Sequence, residues 1–413
     1  MIDLIVRNAH LRGRSGVWDI AISGERIQAI ERRIDADARV EDVGGCIVLP
    51  GFCDTHVHLD KACLLERCGH DHATLGEAIV AVSALKAEMD AQDLYDRGAR
   101  CLDQAIVQGT THMRTHVEID PKIGLRSFEA IRQLKRDYAW AIDLSICVFP
   151  QEGLFNNPGT EALLIEALES GADLIGGCPY TDTEPDGHVV HIFDLAQRFD
   201  VDIDFHLDFD LDPTWMHLDA VLRETEARRL GGRVAIGHAT KLSALPPDRL
   251  DAVTARLASA GVAVTSLPST DLFLTGREQT ENIPRGVAPV HRLAKAGVRC
   301  SIATNNVLNP FTPFGDFSLL RMANLYANVC HAGPLDFGGV LDLVTDSPAR
   351  LLKLEGYGIE AGSFADLVVL DAPNQVEALG AIAQPLFALK RGRKTFTRAR
   401  PVLLQPEQFP ANH

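Results

Sequence analysis

Apolar residues recur along the chain in two rhythms, and the change of rhythm divides it. In the first 50 residues they alternate or form short β-branched blocks: "DLIVRN", "WDIAI", "RIQAI" and "CIVLPGF". Such blocks predict strands. The glycine-containing "SGE" between the second and third predicts a hairpin turn. The carboxyl end returns to the same rhythm, with "ADLVVLD" as one strand and "LFALKRGRKTF" as two around Gly392. Together the two ends predict one small, discontinuous β-domain, residues 1–50 with 355–413.

Residues 51–354 behave differently. Eight apolar runs fit strands: "CIVLPGFCDTHVH", "GTTHMRTHVE", "AIDLSICVFP", "GADLIGGCP", "DVDIDFHLD", "RVAIGHAT", "GVAVTSLP" and "GVRCSIATNN". Between them the apolar period lengthens to that of a helix. "EALLIEALES", Glu161 to Ser170, places its leucines and Ile165 on one stripe. Further helices are predicted near Asp93 to Val107, Ser127 to Arg136, Val189 to Arg198, Leu218 to Leu230 and Asp248 to Ala260. Eight strand-then-helix units predict a (β/α)8 barrel rather than a doubly wound sheet. "DHATLGEAIVAVSALKAEMD" adds a helix after the first strand, and in a barrel that loop hangs over the mouth.

Barrel chemistry collects where strands end. The first ends "DTHVHLDK", and His56 and His58, two apart, face the same way. Two imidazoles on one face at an apolar strand end can hold a divalent ion. His206, ending the fifth strand, is the third candidate ligand, and His238, ending the sixth, a fourth ligand or an acid/base beside bound water. The eighth ends in Asn305-Asn306. A carboxylate at that place would neutralise part of a dication and accept a proton, whereas Asn305 offers only a carbonyl oxygen. Arg114 and His116 read as polar packing inside the barrel, and His188, His191 and His217 as solvated.

Composition narrows the partners. A net charge of −16 argues against nucleic acid or an anionic membrane, both of which need a basic face. With 46% hydrophobic residues the chain can build a large core. Its nine scattered cysteines, without a CxxC, read as buried thiols. With no secretory signal and no long apolar span, the reading is a cytoplasmic protein.

Taken together, "LPGFCDTHVHLDK", "THMRTHVE", "FPQEGLF", "GHAT", "NNVLNPFTPFG" and "GIEAGSFADLVVLDA" resemble the amidohydrolase superfamily. Within it they resemble the cytosine deaminase and N-isopropylammelide isopropylamidohydrolase branch. The resemblance implies an α/β fold, a distorted TIM (β/α)8 barrel with a β-sandwich from both termini. It also implies one divalent ion, zinc or iron with manganese a further candidate, and a small N-heterocyclic substrate; a homo-oligomer is expected. By the same resemblance His56, His58 and His206 hold the metal and His238 handles the attacking water. Gln151 and Asn306 contact the substrate ring, and Phe311 lines the pocket. Asn305 stands where the family has a metal-binding aspartate, and Phe209 where cytosine deaminases have a proton-shuttling glutamate.

Proton transfer would then fall to Lys61, His238 or Asp316, unless Lys61 is a surface lysine paired with Asp60. The function implied is hydrolysis of a C–N bond in a cyclic amidine or amide, as in cytosine deamination. The alternatives are amine release from an N-alkylammelide-type ring, and a non-catalytic protein on the same scaffold.

Overall fold

The computed structural model describes residues 1–68 and 74–404. The start of the inserted stretch, residues 71–73, and the chain end, 405–413, lie outside the described residues. Two eight-stranded sheets carry the fold. One is parallel, its strands joined in chain order: Phe52–Val57, Thr110–Glu118, Asp143–Phe149, Leu174–Ile175, Asp202–Leu207, Val234–His238, Ala263–Ser266 and Cys300–Ile302. The first strand meets the eighth through a parallel bridge between Val57 and Asn305. Asn305 N donates to His56 O at 2.9 Å and His58 N to Asn305 O at 3.1 Å, which closes the barrel.

These strands are buried almost throughout because helices cover their outer face and side chains fill the lumen. Helix Ala91–Val107 buries Leu94, Cys101, Leu102, Ala105 and Ile106 and packs on Arg126–Asp137, which buries Phe128, Ile131 and Leu134. The stretch after the first strand forms helix Leu75–Leu85 and a 3₁₀ turn, Lys86–Glu88. Thr74 starts that helix with a capping box to Glu77. Its Ala78 and Val82 share an apolar cluster with Phe209 and Phe311 from the carboxyl end of the barrel, so the segment covers the mouth.

The second sheet is built from both ends of the chain. Its order runs Arg393–Thr397, Pro385–Lys390, Leu367–Leu370, Ile47–Pro50, Leu4–Leu11, Val17–Ser23, Arg26–Glu31, with Arg39–Asp42 parallel to Leu4–Leu11. Arg391 and Gly392 both take positive φ, 47° and 75°, which suits a two-residue hairpin turn. The chain passes from this sheet into the barrel at Gly51, where a Cβ would stand 2.3 Å from the Thr111 side chain.

A buried ion cluster joins the two parts at the amino-terminal end of the barrel strands. Lys390 Nζ lies 2.9 Å from Asp366, 2.7 Å from Asp143 and 3.1 Å from Thr111 O, and is 1% exposed. Removing one partner of a buried cluster leaves uncompensated charge, at a cost of about 3–5 kcal/mol. Lys390→Met should therefore lower the thermal unfolding midpoint by several degrees while leaving metal content unchanged; differential scanning calorimetry with elemental analysis checks both.

Candidate active site

Strand alternation sends His56 and His58 into the lumen from the first strand, and His206 meets them from the fifth. His56 Nε2 and His58 Nε2 each lie 3.0 Å from His206 Nε2, and all three rings are buried. His58 Nδ1 is 3.2 Å from His116 O, and donating there leaves its Nε2 lone pair free to face the site. Phe149 stacks flat on His206, with ring centres 4.5 Å apart and planes 8° apart. Burial, reinforced by neighbouring positive groups, holds all three imidazoles well below their usual pKa.

Three neutral rings with converging nitrogens repel one another unless a proton or cation lies between them. Nitrogens about 2.0–2.1 Å from one ion stand roughly 3 Å apart, which matches this spacing. His56, His58 and His206 thus fit one divalent ion. His56, His116 and Asp204 also lie close together. There, however, Arg114 donates to Asp204 at 2.7 Å, so that carboxylate is already balanced by a cation.

Asn305 closes the barrel with a left-handed φ of 57°, a conformation asparagine tolerates well. Its side chain is fully buried, and neither amide atom has a partner among the described residues. An unpartnered amide beside two of the three histidines marks a place for a further polar atom. On the first strand, two residues before His56, Asp54 accepts from Thr304 Oγ1 at 2.5 Å, and burial raises its carboxyl to about 7.

His238 stands just outside the trio, its ring centre 5.6 Å from His206 and 6.0 Å from His56. Its φ is 67° and that of Ala239 is 48°, so two successive residues strain the strand end. Asp271 Oδ1 lies 2.6 Å from His238 Nδ1 and accepts its hydrogen, which leaves Nε2 as the basic nitrogen. Burial raises the Asp271 carboxyl, and the adjoining His238 partly opposes the rise. Asp271 was missed from sequence, although the polar "PSTD" directly follows the seventh strand.

Lys61 is 2% exposed and not a surface lysine. Its Nζ donates to Gln151 Oε1 at 3.0 Å and lies 4.8 Å from the Phe311 ring centre. Asp60 instead accepts from the Glu118 amide at 2.9 Å. Gln151, Asn306, Phe311 and Phe209 line the same pocket as His58, His206 and His238, and the empty space between them is about 250 Å³. Tyr180, Thr270, Leu75 and Leu274 also line it, and none of the described lining residues is acidic. Tyr180 carries no sequence signal, whereas Leu75 lies in the inserted stretch expected over the mouth. The Phe209 ring meets His238 edge-on at 4.3 Å, while Asp208 turns away to accept from the amides of His217 and Leu218. Asn306 Oδ1 accepts from Asn309, leaving its amide hydrogens for the pocket. Asp316 is outside the pocket and pairs with Arg321 at 2.9 Å.

The "solvated" reading fails for two histidines. His188 and His217 are buried because nearby carboxylates fold back onto them. His188 Nδ1 is 2.7 Å from Asp182, and His217 Nδ1 is 3.3 Å from Asp208. His191 stays half-buried beside Glu161. Asp182 also accepts from the amides of Leu154 and Phe155, which fixes the loop that carries Gln151.

Among known proteins the match is broad. Residues 96–395 fit the model of the amidohydrolase family. N-isopropylammelide isopropyl amidohydrolase of Pseudomonas sp. (strain ADP) is 30% identical over 403 residues, 95% of this chain and 96% of the relative. The chain belongs to the amidohydrolase family. It is accordingly a hydrolase of carbon–nitrogen bonds. The structure of 5-methylcytosine deaminase from Klebsiella pneumoniae superposes with a TM-score of 0.92 at 30% identity, covering 97% of this chain and 99% of that one. N-isopropylammelide isopropylaminohydrolase from Burkholderia multivorans gives 0.85 at 29% identity, covering 95% and 98%.

Burial alone would raise the Asp182 carboxyl, but hydrogen bonds from His188, Leu154 and Phe155 bring it down to about 2. A carboxyl whose folded pKa lies below its unfolded value, about 3.9, adds stability above that pH and loses it as pH falls through the folded value. The unfolding midpoints of wild type and Asp182→Asn should therefore differ most near neutrality and converge between pH 4 and about 2. Thermal melts across that range measure the convergence.

Proposed function

We propose that this amidohydrolase uses one divalent ion, zinc or iron with manganese a further candidate, held by His56, His58 and His206. Its reaction is hydrolysis of a C–N bond in a small N-heterocycle. The convergence of the His56 and His58 Nε2 atoms on His206 Nε2, each at 3.0 Å, beside a pocket that also holds His238, carries this reading. When bound, such an ion supplies Lewis acidity that brings the pKa of water near neutrality.

The chain's own residues do the rest. His238 takes the proton at Nε2, and Asp271 holds its ring and stabilises the imidazolium that forms. Lys61 delivers a proton to the leaving nitrogen, taking the place of the carboxylate that Phe209 lacks. Asn305 offers its amide to the metal side of the pocket without adding charge. Gln151 and Asn306 present amide groups to the ring edge, while Phe311 and Phe209 pack its faces. Amide donors and acceptors between aromatic walls suit a neutral pyrimidine, triazine or related lactam.

Two leaving groups fit. Ammonia is the product if the exocyclic group is an unsubstituted amine, in line with the resemblance to the Klebsiella 5-methylcytosine deaminase structure. An alkylamine is the product if the ring is of the N-alkylammelide type. The similarity to the Pseudomonas enzyme, and the resemblance of "HVHLDK" with its buried Lys61 to the isopropylammelide type, support that second reading.

A release assay over aminopyrimidines, aminotriazines, pterins and N-alkylaminotriazines, with the zinc- or manganese-loaded protein, tests the proposal. Turnover of at least one ring is expected, and Lys61→Met should lower its kcat about 10²- to 10³-fold. No release from any ring by protein holding one metal per chain would contradict the substrate class.

A further inference from the structure

A chain of buried charges runs from the pocket to the segment covering the mouth. Lys61 Nζ, bonded to Gln151, lies 3.9 Å from Glu118 Oε1. The other Glu118 oxygen lies 3.3 Å from Lys86 Nζ. Lys86 is also 2.5 Å from Asp120 and 2.5 Å from Glu152. Lys61 and Lys86 are each 2% exposed and Glu118 is 5% exposed. Glu118 belongs to the second barrel strand, two residues beyond His116 and on the same face.

The placement of the two lysines matters. Lys61 follows the first strand and faces the pocket, whereas Lys86 belongs to the inserted segment, just after the helix whose first residue, Leu75, lines that pocket. Neighbouring residues of one loop hold them: Gln151 takes Lys61 and Glu152 takes Lys86. Lys122, 3.1 Å from Glu152, is the third cation of the cluster and is half-exposed. With the segment seated, Glu118 is shared between two ammonium groups, and Lys61 stays on Gln151 at the pocket wall. Without Lys86, the nearest cation to Glu118 is Lys61, and attraction in this water-poor site draws it off Gln151.

We propose that Glu118 is a positioning residue for Lys61, and that Lys86 makes this positioning depend on the seating of the inserted segment. The proton donor of the reaction is thus in place only under a closed mouth. This rests on the assignment of Lys61 to the reaction, but the positions of the two lysines can be measured without turnover.

Lysine accessibility in the full-length, metal-loaded protein is read by reductive methylation and peptide mass spectrometry, and segment seating by amide hydrogen exchange over residues 75–88. Lys86→Met should speed exchange there about tenfold or more and raise Lys61 methylation several-fold, and Lys86→Arg should restore both. Glu118→Gln should leave exchange within about twofold of wild type, because Asp120 and Glu152 still hold Lys86. It should nevertheless raise Lys61 methylation and lower kcat with little change in KM, and Glu118→Asp should recover part of the loss.

Wild-type methylation of Lys61 in Lys86→Met, with the segment loosened, would overturn the coupling. Unchanged Lys61 methylation in Glu118→Gln would overturn the role of Glu118, as would loosening of the segment as large as in Lys86→Met. Should Lys86→Met not fold, Glu118→Gln decides by the same readouts. A silent release assay with these labelling results intact would count against the substrate class and not against the coupling.

Discussion

Two backbone hydrogen bonds, from Asn305 N to His56 O and from His58 N to Asn305 O, hold the site together. They join the last barrel strand to the first at the level where the first strand delivers its histidines. Without that closure His56 and His58 would hang at a sheet edge, and no wall would face His206 across the lumen. The left-handed backbone of Asn305 allows its amide and carbonyl to engage the first strand while the side chain stays buried beside the histidines. The same residue therefore serves as structural clasp and as a wall of the candidate metal site.

The charge around the pocket follows a consistent layout. Among the described residues nothing acidic lines it, and the carboxylates stand one layer back, each behind a group it contacts. Asp271 sits behind His238 and Glu118 beside Lys61. Asp54 tethers Thr304, next to the clasp. Under the proposed function, His238 and Lys61 then face the pocket as the groups that move protons, and negative charge is kept for orienting them.

Much of this was legible in the sequence, for physical reasons. Parallel strands buried on both faces are rich in apolar and β-branched residues, so the eight barrel strands stood out even where, as at Leu174–Ile175, the paired stretch is only two residues long. The i, i+2 pair His56 and His58 is a local fact of strand geometry. Less legible was anything made by folding back. Asp271, Glu118 and Tyr180 act through contacts with distant segments; the first two follow or end barrel strands, but their partners cannot be read from their own surroundings. His188 and His217 sit in polar surroundings that read as surface until Asp182 and Asp208 return to bond them. The parallel strand Arg39–Asp42 escaped because "RVED" is too polar and too exposed to show a strand rhythm.

Chelator competition on the metal-free protein, with Zn²⁺ as the titrant, tests the central claim most directly. If His56, His58 and His206 with Asn305 beside them form one metal centre, wild type binds one saturable equivalent per chain. Asn305→Asp, which adds a negative charge next to the ion, should then bind about tenfold tighter or more. Absence of a saturable equivalent, or an affinity that Asn305→Asp leaves unchanged, would contradict the account.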